Sequence, residues 1–174
     1  MHKKTKDLIV IGAGPGGYVT AIRAAQLGLS VSIIEKESLG GVCLNWGCIP
    51  TKALLKCAET FHAACHMSDI GIDGHGIKPN IKSMVAHSRK TAERLANGVS
   101  FLMKKNNIEV IKGKATLQKQ KEGVFQVTVD GTKEPLYAKN VTIATGASAF
   151  LPQGIQVNER IWTAREAMMQ NKIP

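Results

Sequence analysis

Leu8-Ile9-Val10-Ile11-Gly12-Ala13-Gly14-Pro15-Gly16-Gly17 decides the fold. Four apolar residues running into glycines read as a buried parallel strand. The glycines form G-x-G-x-x-G. Tyr18 to Leu27 then carries Ala, Ile and Leu at helical spacing until Gly28 stops it. Val31 to Ile34 reads as a second strand. Strand, helix and strand make a β-α-β unit, and right-handed crossover makes its two strands parallel neighbours. Gly12 permits the tight turn, Gly14 lets a pyrophosphate approach the backbone, and Gly17 lets helix pack closely on strand. Pro15 and Gly16 lie in the same turn, where the helix end offers free N–H groups and partial positive charge to phosphates. Glu35 ends the second strand. Its carboxylate can accept hydrogen bonds from an adenosine ribose and would repel a 2′-phosphate. These residues predict a dinucleotide site, for FAD or NAD alike, and disfavour NADP. A Gly-rich turn that only packs helix on strand is the competing reading. It does not account for strand, glycines, helix, strand and acid all agreeing.

Further along, Glu37 to Gly47 reads as a loop. A helix from Cys48 to His66 follows, with Pro50 in its first turn, where a missing N–H costs nothing. Leu54, Ala58, Phe61 and Cys65 mark its expected buried face. A Gly-rich connection, Gly71 to Gly76, leads to a long amphipathic helix from Ile81 to Lys105. Its stripe is Ala92, Leu95, Ala96, Val99, Leu102 and Met103. The period then changes from helical to alternating. Ile108 to Ile111, Val124 to Val129 and Val141 to Ala144 read as strands, with Asp130-Gly131 as a hairpin turn. From Gly146 the chain is irregular until a short helix at Ala164 to Met169.

Composition narrows the class. Of 174 residues, 44% are hydrophobic and 21% charged, which is ordinary for a globular chain and excludes disordered, collagen-like and low-complexity classes. No apolar run approaches the roughly 18 residues of a membrane span. Lys3, Lys4 and Lys6 before Leu8 could mimic a signal peptide. Glycines and Pro15 interrupt the apolar run and no cleavage site follows, so a cytoplasmic home is expected. Lys and Arg number 23 against 13 Asp and Glu, a net charge of +10. The basic residues are spread in ones and twos and aromatics make up only 5%, so a solvated basic surface is expected rather than nucleic-acid binding.

The cysteines are Cys43, Cys48, Cys57 and Cys65, too few for a secreted disulfide scaffold of this length. Cys43 and Cys48 form C-x-x-x-x-C at the start of a helix. A bridge there closes a short ring and constrains the unfolded chain by only roughly 2 kcal/mol. A helix N-terminus also favours the thiolate. That suits a pair cycling between disulfide and dithiol, while spacing alone fits two unrelated thiols equally well. Cys57, His62, Cys65 and His66 could in principle assemble a zinc site. Cys65 and Cys57 fall on the apolar side of their helix with Leu54 and Phe61, so buried core thiols and no metal are expected. His62 and His66 read as a solvated helical edge.

Gly12 to Leu27, Glu35 and Gly40-Gly41-Val42-Cys43-Leu44-Asn45-Trp46-Gly47-Cys48-Ile49-Pro50-Thr51-Lys52-Ala53-Leu54-Leu55 closely resemble the flavoprotein pyridine-nucleotide–disulfide reductases. Ala144-Thr145-Gly146 looks like that family's A-T-G segment, where the chain passes FAD again. Arg160-Ile161-Trp162 and Ala164 to Met169 also look like it, so the resemblance covers nearly the whole chain. It implies an α/β fold: an incomplete Rossmann-like FAD-binding domain, a parallel sheet with helices plus a small antiparallel β segment. It makes Cys43 and Cys48 the redox disulfide, Cys43 forming the mixed disulfide with substrate and Cys48 facing the flavin. Lys52 would sit by the flavin ring and Gly113 would touch the adenine side. Lys36, Gly40, Gly41 and Val42 join the glycine turn and Glu35 as FAD contacts. Val42 and Trp46 carry no weight in choosing between relatives.

Ile49 to Leu55 looks like the dihydrolipoamide dehydrogenase branch, more than mercuric or glutathione reductase. That branch implies NAD as acceptor, dihydrolipoamide on an acyltransferase of a 2-oxo-acid dehydrogenase complex as donor, and a homodimeric parent enzyme. The chain corresponds to about the first third of the family's usual length. Residues 1–146 would be the N-terminal portion of the FAD-binding domain, and 147–174 a connection toward an NAD-binding domain. The second fingerprint, the returning FAD segment and the interface domain with its histidine–glutamate base would lie beyond. The 174 residues alone are therefore expected to be inactive. A different class of reading is a flavin-free fragment, or a module that binds an acyltransferase core.

Overall fold

The computed structural model describes residues 5–118 and 123–173. Lys3 and Lys4 of the basic start lie outside them. The chain divides into two compact units, Met1–Cys43 with Leu95–Ala147, and Leu44–Arg94 with Ser148–Pro174.

The first unit is built on a six-stranded sheet. Its strands are β1 (Lys6–Ile11), β2 (Val31–Glu35), β3 (Glu109–Lys112), β4 (Ala115–Leu117), β5 (Phe125–Val129) and β6 (Leu136–Ile143), in the order β3-β2-β1-β6-β5-β4. β1 runs parallel to both β2 and β6, with Ile11 level with Ile34 on one side and Ile143 on the other. β2 and β3 are also parallel, whereas β4, β5 and β6 are antiparallel neighbours. The central strands lie between others on both sides and are buried accordingly. Ile9, Val10 and Ile33 have no exposed surface. Ile9, Ile11, Ile34, Val127, Val129 and Ala138 form one cluster of the core. Each large aliphatic side chain buried there contributes about 1.5–3 kcal/mol.

The crossover between β1 and β2 is α1 (Pro15–Gln26), which buries Gly17, Ala21 and Ala24 along one face. Small residues on that face bring helix and sheet close. The helix starts at Pro15, earlier than Tyr18, because proline's fixed φ suits a first helical position and its missing N–H is unused there. Gly28 follows the helix at φ 87°.

The chain between β2 and β3 carries α2 (Gly41–Trp46), α3 (Cys48–Cys65) and α4 (Ile81–Lys105), with a 3-10 turn at Met67–Ile70. The short α5 (Ala164–Ala167) comes after β6. In the second unit α5 opens with a capping box. Thr163 accepts from the first turn, and the Glu166 carboxylate accepts from the Thr163 N–H at 2.9 Å.

Several expectations need correction. The loop read from Glu37 to Gly47 contains α2, whose first residue, Gly41, packs against another glycine. The face expected to be buried on α3 is only partly covered: Leu54 and Phe61 are half-buried, Ala58 and Cys65 are exposed, and Pro50 is the buried residue of that helix. Apolar spacing marks a face but does not supply a cover for it. The α4 stripe is also only partly covered. Ala92, Val99 and Met103 are buried, while Leu95 and Leu102 are more than a third exposed. β6 starts at Leu136, five residues ahead of the apolar run at Val141. The polar residues between serve the strand: Lys139 bonds Asp7 of β1 at 2.8 Å, and Asn140 bonds the Asp7 carbonyl at 3.1 Å.

Candidate functional site

The glycine turn joins β1 to α1, and the packing explains its first and last glycines. Gly12 has φ 100°, and a Cβ there would lie 2.3 Å from the Ala144 carbonyl oxygen. A Cβ at Gly17 would lie 1.8 Å from the Gly12 carbonyl oxygen. A side chain at Gly12 would push the end of β1 off the chain leaving β6, and one at Gly17 would force α1 off β1. Gly14 is different. Its φ is an ordinary −70°, and the nearest atom to a Cβ there is the Gly41 Cα, at 3.9 Å. Gly16 would meet nothing within 4 Å. The protein itself does not fill the space over Gly14. The first turn of α1 holds no acidic side chain to oppose an anion.

Glu35 is tied directly to this turn. One carboxylate oxygen accepts from the Ala13 N–H at 2.7 Å and the other from the Glu37 N–H at 2.8 Å. A carboxylate oxygen has more than one lone pair, so both retain acceptor capacity while their direction is fixed. The Glu35 carbonyl accepts from the Gly113 N–H at 3.0 Å. Gly113 is required by packing, since a Cβ would lie 2.6 Å from both the Asp130 carbonyl oxygen and a Val129 methyl.

The chain approaching Cys43 is stitched onto the same turn. The Gly40 N–H donates to the Ala13 carbonyl at 2.8 Å. Gly41, at φ 59°, passes so near Gly14 that a Cβ would lie 2.6 Å from the Gly14 Cα. On the opposite side the Ala144 N–H donates to the Ile11 carbonyl at 2.8 Å, bringing Ala144 and Thr145 beside Gly12. The first unit thus gathers Gly12, Gly14, Glu35, Gly40, Gly41, Ala144 and Thr145 around one turn. Pro15 and Gly16 are exposed within it. Lys36, Val42, Thr145 and Gly146 are also exposed. A ribose-phosphate ligand fits such a place: open backbone at Gly14, a helix start without negative charge, and an oriented carboxylate.

Cys43 and Cys48 are disulfide-bonded. Cys43 lies in the first turn of α2 and is half-buried, whereas Cys48 begins α3 and is exposed. The N-cap of α3 is Gly47, which provides no side-chain oxygen, and its first turn has no acidic residue. The helix end therefore favours negative charge on a Cys48 thiolate once the bond opens. The bond pairs the two cysteines, so they are not the unrelated thiols that spacing allowed. Cys57 and Cys65 are free. Cys65 is exposed rather than a core thiol. Among the described residues no three of His, Cys, Asp and Glu gather as a metal site requires. His62 and His66 stack at 4.3 Å on an exposed edge of α3. Lys52 stands exposed on α3, one turn beyond Cys48.

In the second unit, two residues that sequence reading passed over meet the segment between the cysteines. Arg89 of α4 donates to the Asn45 carbonyl and lies over the Trp46 ring, 4.4 Å from its centroid. Arg165 lies over the same ring at 3.8 Å. Burial, and then the charge of Arg165, hold the Arg89 guanidinium below its usual pKa. Trp46, a large aromatic inside a run of small and aliphatic residues, was the signal available in the sequence.

Comparison with known proteins places this geometry. Residues 6–174 match the family described as pyridine nucleotide-disulphide oxidoreductase. A dihydrolipoyl dehydrogenase of Rhizobium etli is 46% identical over 97% of the chain and 38% of its own length. One from Zymomonas mobilis is 44% identical over 97% of the chain and 36% of its own length. The chain thus spans a little over a third of the length of these two relatives. Among solved structures, LpdA of Mycobacterium tuberculosis superposes with a TM-score of 0.85 at 22% identity, covering 97% of this chain and 38% of that one. An HOCl-induced flavoprotein disulfide reductase of Escherichia coli gives 0.75 at 23% identity, covering 98% and 35%. Those two likenesses establish the fold: an α/β sheet with the Rossmann-like arrangement. With the glycine turn, the carboxylate on β2 and a closed Cys43–Cys48 bond, the chain belongs to the pyridine nucleotide-disulphide oxidoreductase family.

Proposed function

We propose that this chain is the FAD-binding and redox-disulfide portion of a dihydrolipoyl dehydrogenase, which oxidises dihydrolipoamide with NAD⁺. The carrying observation is the closed Cys43–Cys48 bond at the start of α3, with the Cys43 helix anchored on the glycine turn at Gly41.

The chemistry follows from the sulfurs. A dihydrolipoyl thiolate attacks Cys43 Sγ. The Cys43–Cys48 bond breaks, and Cys48 leaves as a thiolate favoured by the α3 N-terminus. The second substrate thiol then attacks the substrate sulfur joined to Cys43. Lipoyl disulfide departs and Cys43 is released as a thiolate. One electron pair has passed to the protein, and the two substrate thiols have given up their protons. FAD, when bound, would relay that pair to NAD⁺.

The residues assigned to FAD are the turn from Gly12 to Gly17 with Glu35, Lys36, Gly40, Gly41, Val42, Lys52, Gly113 and Ala144-Thr145-Gly146. Glu35 would accept from ribose hydroxyls, and Lys52 would place a cation near the reactive ring. Residues 1–146 serve as the FAD-binding portion and 147–174 as the link to an NAD-binding domain. The donor is carried on an acyltransferase of a 2-oxo-acid dehydrogenase complex, the whole enzyme is a homodimer, and it works in the cytoplasm. Among the described residues no helix is long and apolar enough to cross a membrane.

Dihydrolipoamide added to the purified chain should open Cys43–Cys48 and create two new alkylatable thiols there, as read by mass spectrometry. A Cys48→Ser variant has no bond to attack, so Cys43 should alkylate to the same extent with and without dihydrolipoamide. A pair inert to dihydrolipoamide but opened by dithiothreitol would remove the substrate assignment.

A further inference from the structure

The segment between the two redox cysteines is gripped from outside its ring. Arg89 holds the buried Asn45 by its carbonyl, and Arg89 and Arg165 both lie over Trp46. Just past Cys48, the Thr51 hydroxyl donates to Met168 Sδ at 3.1 Å. Arg165 and Met168 belong to one short stretch, which the Thr163–Glu166 capping box fixes. Two guanidinium groups repel each other, and one of them is partly desolvated. The negative face of the indole and the Asn45 carbonyl offset that repulsion. The contacts that hold the two guanidinium groups together are thus the ones they make to Asn45 and Trp46, inside the segment that the disulfide closes.

We propose that Arg89 and Arg165 are positioning residues for the redox pair. By gripping Asn45 and Trp46 they hold the segment between Cys43 and Cys48 in one conformation whether the bond is closed or open. Reduction opens a six-residue ring, counted from Cys43 through Cys48. Without an external hold the two thiols drift apart, and their effective concentration toward one another falls. With the hold, the dithiol remains arranged to close again. The proposal rests on the redox-cycling reading above. It adds that the ease of closing is set by two residues far along the chain from the cysteines.

The test is the thiol–disulfide equilibrium. The chain is equilibrated with graded mixtures of reduced and oxidised dithiothreitol at neutral pH, quenched by alkylation and scored by mass spectrometry at Cys43 and Cys48. A variant carrying Arg89→Met and Arg165→Met should shift the equilibrium about tenfold toward the dithiol, on the scale of two cation–π contacts. That is about 30 mV for a two-electron couple. Arg165→Lys, which keeps a cation over the ring, should stay near wild type. A purely structural role would lower the melting temperature of the double variant and leave the equilibrium where it was. A folded double variant with the wild-type equilibrium overturns the proposal. If the double variant does not fold, Arg165→Met alone decides. A shift of about threefold toward the dithiol, roughly half the free energy of the pair, is then expected, and no shift overturns the proposal. A wild-type pair that fails to open and reclose reversibly would sink the functional reading instead.

Discussion

Gly14 and Gly17 sit in one turn and should respond oppositely to a single methyl group. At Gly17 it would overlap the Gly12 carbonyl, so Gly17→Ala should destabilise the fold by about 3 kcal/mol or more, seen as an earlier denaturant midpoint. At Gly14 the same methyl meets only the Gly41 Cα at contact distance. Gly14→Ala should keep the wild-type midpoint and weaken FAD retention. Equal destabilisation by both would mean that Gly14 serves packing alone. The thiols offer a second residue-level forecast. Without reductant, iodoacetamide should label exposed Cys65 fastest, half-buried Cys57 more slowly, and Cys43 and Cys48 not at all. Early label on Cys43 or Cys48 would contradict the closed bond.

At the scale of elements, β1 is tied to both neighbours through Asp7. Its carboxylate accepts from Lys139 on β6 and from the Ser30 hydroxyl and N–H ahead of β2, and these bonds hold its pKa well below the usual carboxylate range. A carboxylate with a depressed folded-state pKa stabilises the fold above its unfolded value, about 3.9, and loses that contribution as pH falls toward the folded value. Wild type should therefore lose more stability between pH 6 and pH 3 than Asp7→Asn does, by urea titration at each pH. Identical losses would show that the three bonds carry no pH-linked stability. The legibility of the elements follows the same physics. β1, β2 and α4 were legible because an unbroken apolar run or a long helical period needs no partner to be recognised. α2 was not, since Gly40-Gly41 reads as a turn, and only the approach of Gly41 to Gly14 shows why two glycines precede a helix. The first half of β6 was hidden by Lys139 and Asn140, whose partners lie on another strand. The glycine turn, Glu35 and the cysteine pair were readable because each is a local pattern. Arg89 and Arg165 belong to the site through tertiary contact, and no local pattern announces that.

Across the whole molecule, many large apolar side chains face outward. Phe150 is 86% exposed, Ile70 76%, Ile143 65% and Phe101 63%. Exposed apolar surface on that scale promotes association. The 174-residue chain alone should form dimers or larger species at micromolar concentration in light scattering, and should show no NAD⁺-dependent oxidation of dihydrolipoamide. A monodisperse, fully active monomer would refute both expectations. The sheet has a further property. Ser32 of β2 and Glu109 of β3 are hydrogen-bonded at 2.9 Å although they are 77 positions apart in sequence. Everything from α2 to α4 is an excursion between two strands that pair with each other. The entropy of closing such a loop grows only logarithmically, about 0.6 kcal/mol for each doubling in length. The sheet is thus nearly indifferent to how long that excursion is. Lineages can lengthen, shorten or redecorate the exposed connection around Gly71 to Gly76 at little thermodynamic cost, and the toll falls instead on the speed with which β3 finds β2 during folding.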